Sequence, residues 1–305
     1  MIPAVLFIIF NKPETTRKVF ETIRVAKPSR LYVAADGARE NKAGEKELCE
    51  QTRKIIQNID WQCKVKTLFR EKNLGCGVGV ATAISWFFEN EDMGIILEDD
   101  CLPSSSFFSF CGELLEHYKN DNRIQNISGD NFQDNKKRGN ASYYFSYMTS
   151  IWGWATWRRV WKDFRYDVKD LNEKEVLSFI DKTKWTYKMR SYWKNIWRYI
   201  KSVPRDAWDY QFLFSQWANN RFTILPNMNL VSNIGFGEFA YHTKDINNPM
   251  GNRKVFEIDF PLKHPKIIEV DNKADRYFMN KYMNLGFYEK VKGKIRKILE
   301  KLCGK

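Results

Sequence analysis

Over the first hundred residues, short apolar runs alternate with stretches of helical spacing, and this alternation limits the fold more than any other feature of the chain. Ala4 to Phe10 is one apolar run, halted at Asn11-Lys12-Pro13, and Leu31 to Ala35 is a second, halted at Asp36-Gly37. Cys63 to Phe69 reads as a third strand, and Gly94 to Leu97 is a fourth, fully buried one, followed at once by Glu98-Asp99-Asp100. Between them, Glu14 to Val25 sets Val19, Phe20 and Ile23 at helical spacing, and a polar helix is expected around Lys46 to Asn58. The glycine-rich turn Asn73-Leu74-Gly75-Cys76-Gly77 opens another helix through Val80, Ile84 and Phe87-Phe88. Strands alternating with helices of this length form an α/β fold with a mostly parallel sheet flanked by helices. In such sheets ligands gather beyond the carboxyl ends of the strands. Asn11, Asp36 and Glu98-Asp99-Asp100 are therefore expected at one edge, delivered by three different strands.

After Ser128-Gly129-Asp130 the alternation stops. Tyr143 to Asn220 is dense in aromatics, including nine tryptophans from Trp152 to Trp217. It reads as mostly helical and packed on the end of the sheet, not as an independent domain. With 43% hydrophobic and 29% charged residues in 305, a sizeable core is expected and wholesale disorder is not. The opening Met1 to Phe10 lacks the basic start of a signal peptide, and no run approaches the roughly 18 apolar residues of a spanning helix. Six cysteines without a C-x-x-C pair fit reduced thiols in a cytosolic protein. Three scattered histidines, outside any H-E-x-x-H, argue against a zinc hydrolase.

The net charge of +13 calls for an anionic partner. The segment from Lys273 onward holds ten Lys/Arg against three Asp/Glu, so +7 of the excess sits there. Its residues Phe287, Val291, Ile295, Ile298, Leu299 and Leu302 share one helical face, with Lys290, Lys294, Lys297 and Lys301 around it. A basic C-terminal helix is expected, either meeting an anionic membrane surface or capping the domain.

The sharpest chemical feature is Glu98-Asp99-Asp100. Three consecutive carboxylates repel one another unless a cation stands nearby. A hard divalent ion shared between one or two carboxylates and substrate phosphates resolves that repulsion. The ordinary alternative, a solvated acidic turn, fits less well after so buried a strand. Asp36-Gly37 suits a hydrogen bond to a base or ribose, and equally suits a plain turn. The glycines after Asn73 would let backbone approach a nucleotide, although neither a Walker A loop nor a dinucleotide fingerprint is present. Asp209, among Trp208, Tyr210 and Phe212, is a candidate general base, because apolar surroundings raise a carboxylate's pKa. The alternative is an Asp placed at a helix N-terminus by the helix dipole. His242 is a candidate metal or phosphate contact, set against the more usual satisfied histidine. Most of the aromatic rings are expected in the core, with some free to stack on sugar faces.

Taken in order, Asn11-Lys12-Pro13, Asp36-Gly37, Asn73-Leu74-Gly75, Glu98-Asp99-Asp100, Ile151-Trp152-Gly153-Trp154, Trp208-Asp209 and Gly237-Glu238-x-x-x-His242 resemble the motifs of a GT-A (Rossmann-like) glycosyltransferase. Within that superfamily they resemble the N-acetylglucosaminyltransferase I-like group, whose Glu-Asp-Asp is followed by a Pro and a Phe-Phe pair, here Pro103 and Phe107-Phe108. The likeness spans roughly residues 3–245. It implies that Asn11, Lys12, Asp36, Asn73, Glu98, Asp99 and Trp154 serve nucleotide-sugar binding, with Asp99 towards the ribose. It also implies that Asp100, with His242, holds Mn²⁺ or Mg²⁺, and that Asp209 is the base towards the acceptor hydroxyl. Lys12 departs from the arginine frequent at this position, which removes a bidentate phosphate contact.

The resemblance implies a metal-dependent, inverting transfer of sugar from a nucleotide diphosphate sugar, UDP-linked by expectation, to a glycan or lipid-linked acceptor. Residues 1–248 would form the transferase, with 1–130 binding the donor and 131–248 facing the acceptor. Residues 249–305 would be a basic extension. The enzyme would be cytoplasmic, peripheral at the inner membrane face, in polysaccharide biosynthesis. Two other classes compete: a sugar-nucleotide nucleotidylyltransferase, which should carry a glycine-rich basic loop after its first strand, and a non-enzymatic basic RNA- or membrane-binding protein. The concentration of charge in the tail weighs against the last, and no nucleic acid partner is expected.

Overall fold

A computed structural model describes residues 2–202, 207–236 and 248–283. The first part runs β1 (Val5–Ile9), α1 (Pro13–Ala26), β2 (Arg30–Ala35), α2 (Glu45–Lys54), β3 (Lys64–Phe69), α3 (Gly75–Asn90) and β4 (Met93–Glu98). The middle holds β5 (Cys101–Pro103), α4 (Ser105–His117), β6 (Ile124–Ser128), β7 (Tyr143–Ser146), β8 (Trp154–Trp157) and α5 (Arg158–Trp161). Then come α6 (Glu173–Lys182), α7 (Tyr187–Ser202), α8 (Asp209–Ala218), β9 (Phe222–Pro226), β10 (Val231–Asn233) and α9 (Asn272–Lys281).

Eight strands form one sheet in the order β3-β2-β1-β4-β8-β6-β9-β7, and β5 pairs with β10 in a small second sheet. The β3-β2-β1-β4 half is parallel, as the alternation of runs requires. The other half is mixed, because β8 runs against both β4 and β6, and β7 runs against β9. The molecule is thus α/β, Rossmann-like, with a mostly parallel sheet flanked by helices. The helix α1 shows how local chemistry sets its limits. Proline stands at its start, Glu14 lies in its first turn, and Thr16, Val19, Phe20 and Ile23 are buried on one stripe. Lys27, in the left-handed region at φ 50°, ends it.

The expectation that Tyr143 to Asn220 is mostly helical holds through α5 to α8, but its packing only on the end of the sheet needs correction. Two of its segments, β7 and β8, are strands, and β8 is inserted in the middle of the sheet, between β4 and β6. Both are buried at every position. They therefore lack the two-residue alternation by which a half-buried strand is recognised, and their tryptophans and tyrosines resemble the helical sequence around them. α8 packs on the sheet core through Phe212, and α6 and α7 pack with α8 in a second core. Around Trp217 they gather Phe179, stacked at 5.6 Å, and Trp193, edge-on at 5.0 Å. α8 joins the two cores, since Phe212 belongs to the sheet core and Leu213, Phe214 and Trp217 to the helical one.

The start of the basic segment packs on the body. α9 buries Ala274, Asp275 and Met279, and the Asp134 carboxylate gathers Lys281, Tyr277, Tyr282 and Arg253. The apolar face from Phe287 to Leu302 lies outside the described residues. Among the described residues no helix is long and apolar enough to cross a membrane.

Asp275 pins α9 to the aromatic region: it accepts from the Ser146 hydroxyl, from the Tyr147 N–H at 3.2 Å and from the Trp185 indole at 3.3 Å. Burial pushes its carboxyl up to about 7, against the pull of those donors. A carboxyl raised in the folded state binds its proton there before the unfolded chain does. Stability is then lost as pH rises from the unfolded value of about 3.9 to about 7, and is flat above. Asp275→Asn should flatten the fall in urea-unfolding free energy across that window relative to the parent protein. An unchanged slope would remove Asp275 from the account.

Candidate functional site

The carboxyl ends of β1, β2 and β4 lie side by side, with Ile8 registered against both Ala34 and Glu98. The three polar groups expected at this edge are brought together there. β4 ends at Glu98, and Asp99 and Asp100 turn out of the sheet into β5. Asp99 is buried, and one of its oxygens accepts the Phe10 N–H at 2.9 Å. The Lys12 ammonium sits 2.7 Å from Asp100 Oδ2 and 3.7 Å from Asp99 Oδ1. Burial raises the Glu98 carboxyl well above its ordinary range, and the charges of Asp100 and Asp99 raise it further. Burial and the neighbouring Asp100 also raise Asp99, against the opposing pull of Lys12. For Lys12 itself, burial alone would lower the ammonium. The charges of Asp99, Asp100 and Glu98 outweigh it and raise the ammonium above its usual value.

Asp36 does two things. One oxygen accepts the backbone N–H of Leu74 at 2.8 Å and of Gly75 at 3.1 Å, which caps the N-terminus of α3. The other, Oδ1, is buried and has no hydrogen-bond partner among the described residues. Burial raises this carboxyl, and the two N–H donors hold it back. Asn73 donates to the Gly37 carbonyl at 2.8 Å and so braces the turn after β2. Asn11 donates to Glu45 at 2.9 Å.

Asp209 reaches the same place from a distant part of the chain. It opens α8, and its charge is felt at Glu98, whose carboxyl it helps to raise. Two features hold it there. Trp208 stacks on Trp154 at 5.6 Å, and Trp154 pairs in the sheet with Ile96 of β4. Gly77, in the first turn of α3, lets the chain just before Trp208 come close; a Cβ there would lie 2.7 Å from the Ala207 nitrogen. The glycines after Asn73 thus admit another stretch of this chain.

Two expectations change. Trp154 is fully buried, so it offers no open face to a nucleotide sugar and instead positions Trp208. Asp209 is exposed, so apolar burial is not the setting in which it would act as a base. His242 and Glu238 lie outside the described residues. Two groups were missed by sequence reasoning. Glu45 is buried and collects Asn11 and Arg39, but nothing separates it in the charged run from Arg39 to Glu50. Asp130, two residues beyond the end of β6 at the same edge, is buried and accepts the Trp152 N–H at 3.1 Å. The strand-end rule that picked out Asp36 would have found it.

Among the described residues no group of three or more His, Cys, Asp or Glu side chains is arranged to hold a metal ion. The donors at the β4 end are carboxylate oxygens, which suit a hard divalent cation completed by phosphate and water, and do not suit a soft transition metal. At Gly235 a Cβ would run into the Asp100 carboxylate, so that residue keeps the space around Asp100 clear.

No family model matches this chain, and no curated protein does. Several solved structures do match. HddC from Yersinia pseudotuberculosis is 10% identical, with a TM-score of 0.33 over 53% of this chain and 80% of its own. The 4-diphosphocytidyl-2C-methyl-D-erythritol synthase of Anaerococcus prevotii is 7% identical, with a TM-score of 0.34 over 64% and 84%. A UDP-glucose pyrophosphorylase complexed with UDP-glucose is 10% identical, with a TM-score of 0.34 over 74% and 90%. Likeness at these scores carries no functional assignment.

The close approach at Gly77 predicts a reversal of sign. Glycine to alanine inside an exposed helix usually gains about 1 kcal/mol. Gly77→Ala should instead lose about 1–3 kcal/mol, the usual range for forcing an extra methyl into a packed site. Urea unfolding measures the difference, and a stabilised variant would show that α3 and Ala207 do not need the glycine.

Proposed function

We propose that this chain is a metal-dependent transferase acting on a nucleotide diphosphate sugar, and that it moves the sugar to an acceptor hydroxyl. The observation that carries the reading is the run of three carboxylates at the end of β4, with the charge of Asp209 from a distant segment felt at Glu98. Glu98, Asp99 and Asp100 stand at the end of β4, and Asp209 at the start of α8 lies within their electrostatic reach. The motif resemblance pairs these same two segments. Asp36, with one buried and unpaired oxygen at the same edge, supplies an acceptor for a donor group of the base or ribose.

The chemistry follows from charge. A nucleotide diphosphate leaves only when its developing negative charge is neutralised, which Mn²⁺ or Mg²⁺ supplies when bound. Asp100 would hold that ion, with Asp99 beside it towards the ribose, and Lys12 adds a point charge next to the phosphates. Asp209 takes the proton from the acceptor hydroxyl as its oxygen bonds to the anomeric carbon and the bond to phosphate breaks. One base acting opposite the leaving group inverts the anomeric centre. Asp209 is an exposed residue, which an acceptor reaches from solvent.

A second reading is nucleotidylyl transfer, in which a nucleoside triphosphate and a sugar phosphate give the nucleotide sugar. Asn11-Lys12-Pro13 after β1 is not the glycine-rich basic loop that reaction uses.

Product analysis separates the two. With a panel of UDP-, GDP- and other nucleotide sugars in Mn²⁺, glycosyl transfer or its hydrolytic side reaction releases the nucleoside diphosphate. Nucleotidylyl chemistry consumes pyrophosphate and returns the triphosphate. The expected product is the diphosphate, and Asp209→Asn should reduce sugar transfer to an acceptor by about 10²-fold or more while donor affinity stays. Triphosphate formation, or an Asp209→Asn variant with most of its rate, would overturn the respective assignment.

A further inference from the structure

Lys12 stands where a cation is out of place for its own helix. It occupies the N-cap of α1, where Ser, Thr, Asp or Asn is preferred and where the helix dipole disfavours positive charge. Its side chain makes no capping bond. Its backbone is nevertheless fixed, because the Lys12 carbonyl accepts from the Thr16 N–H at 3.0 Å and from the Thr16 hydroxyl at 2.7 Å. A rigid backbone thus carries a four-carbon stem whose ammonium lies on Asp100 and beside Asp99, largely out of solvent. An arginine at this position would lock a carboxylate in a two-pronged pair, whereas an ammonium is a point charge that can change partners by rotating its stem.

We propose that Lys12 is the resident counter-charge of Asp100, and that it cedes this carboxylate to a divalent ion only when a diphosphate arrives with it. The inference rests on the nucleotide–metal reading above. Its reason is electrostatic. A bare divalent ion entering beside the ammonium meets a like charge in a partly buried site, where screening is weak. An ion that brings a diphosphate brings the anion on which Lys12 can settle, so the carboxylates, the ion, the phosphates and the ammonium alternate in sign. Lys12 therefore couples the two ligands: it weakens binding of the ion alone and strengthens binding of the pair. Such coupling is reciprocal, so diphosphate raises ion affinity by the factor that the ion raises diphosphate affinity.

The test uses the full chain and Mn²⁺, with free Mn²⁺ read by electron paramagnetic resonance in the absence and presence of UDP. In the parent protein UDP should tighten Mn²⁺ by about tenfold or more, within the usual range of coupling between sites. Lys12→Met should bind Mn²⁺ alone several-fold more tightly than the parent and lose most of the tightening by UDP. Lys12→Arg, which keeps the charge, should resemble the parent for Mn²⁺ alone. A lysine that only stabilised the fold would not strengthen metal binding on removal. Lys12→Gln, which keeps a donor for Asp100 without the charge, replaces Lys12→Met if that variant does not fold. Unchanged or weaker Mn²⁺ binding in a folded Lys12→Met or Lys12→Gln protein would overturn the inference. Failure of the parent protein to bind UDP under any condition would instead overturn the nucleotide reading, and the Mn²⁺-only comparison would still judge Lys12.

Discussion

Three carboxylates in a row at the end of a buried strand are tolerable only if positive charge and hydrogen-bond donors meet them there. That constraint organises this molecule. Glu98, Asp99 and Asp100 leave β4 where β1 leaves the same edge, so the exit of β1 provides the answer: the Phe10 N–H on Asp99 and the Lys12 ammonium on Asp100. The arrangement still leaves Glu98 strongly raised by burial and by its neighbours. A carboxyl raised in this way holds its proton, and a cation beside it would favour the ionised form. In the proposed function that cation is a divalent ion with its phosphates.

The aromatic half of the chain gains its meaning from that edge. Its rings form a core of their own around Trp193, Trp197 and Trp217. A separate pair, Trp154 on Trp208, belongs to the sheet core beside β4 and holds the start of α8. Because Trp154 is registered against Ile96, two residues before Glu98, Asp209 is placed by the sheet itself. Placement by strands and stacked rings is more exact than placement by a loop, which suits the role proposed for Asp209.

Much of this was legible in the sequence, for identifiable reasons. β1, β2 and β4 announce themselves because buried parallel strands are near-continuous apolar runs, each followed by a polar residue at the carboxyl edge, whereas β3 is largely exposed and carries Lys64 and Lys66. Asp36 and the acidic triplet were found by that rule. The mixed half was not legible. β7 and β8 are four residues each, buried on both faces and rich in aromatic rings, so neither length nor periodicity marks them as strands. Trp154 was assigned to ligand binding because a tryptophan in a short motif looks available, and only the packing of β8 between β4 and β6 shows that it has no free surface. Glu45 was hidden in a run of charges because its burial comes from Asn11 and Arg39, contacts that depend on the tertiary fold.

The central claim is that the β4 carboxylates form a site for a nucleoside diphosphate that needs a divalent ion held by Asp100. Isothermal titration of UDP into the protein, with Mn²⁺ and then with chelator, addresses it most directly when repeated on Asp100→Asn. The account predicts binding in Mn²⁺ that is lost with chelator, and an Asp100→Asn variant that folds normally but binds weakly in both conditions. Equal UDP affinity with and without Mn²⁺, unchanged by Asp100→Asn, would contradict it.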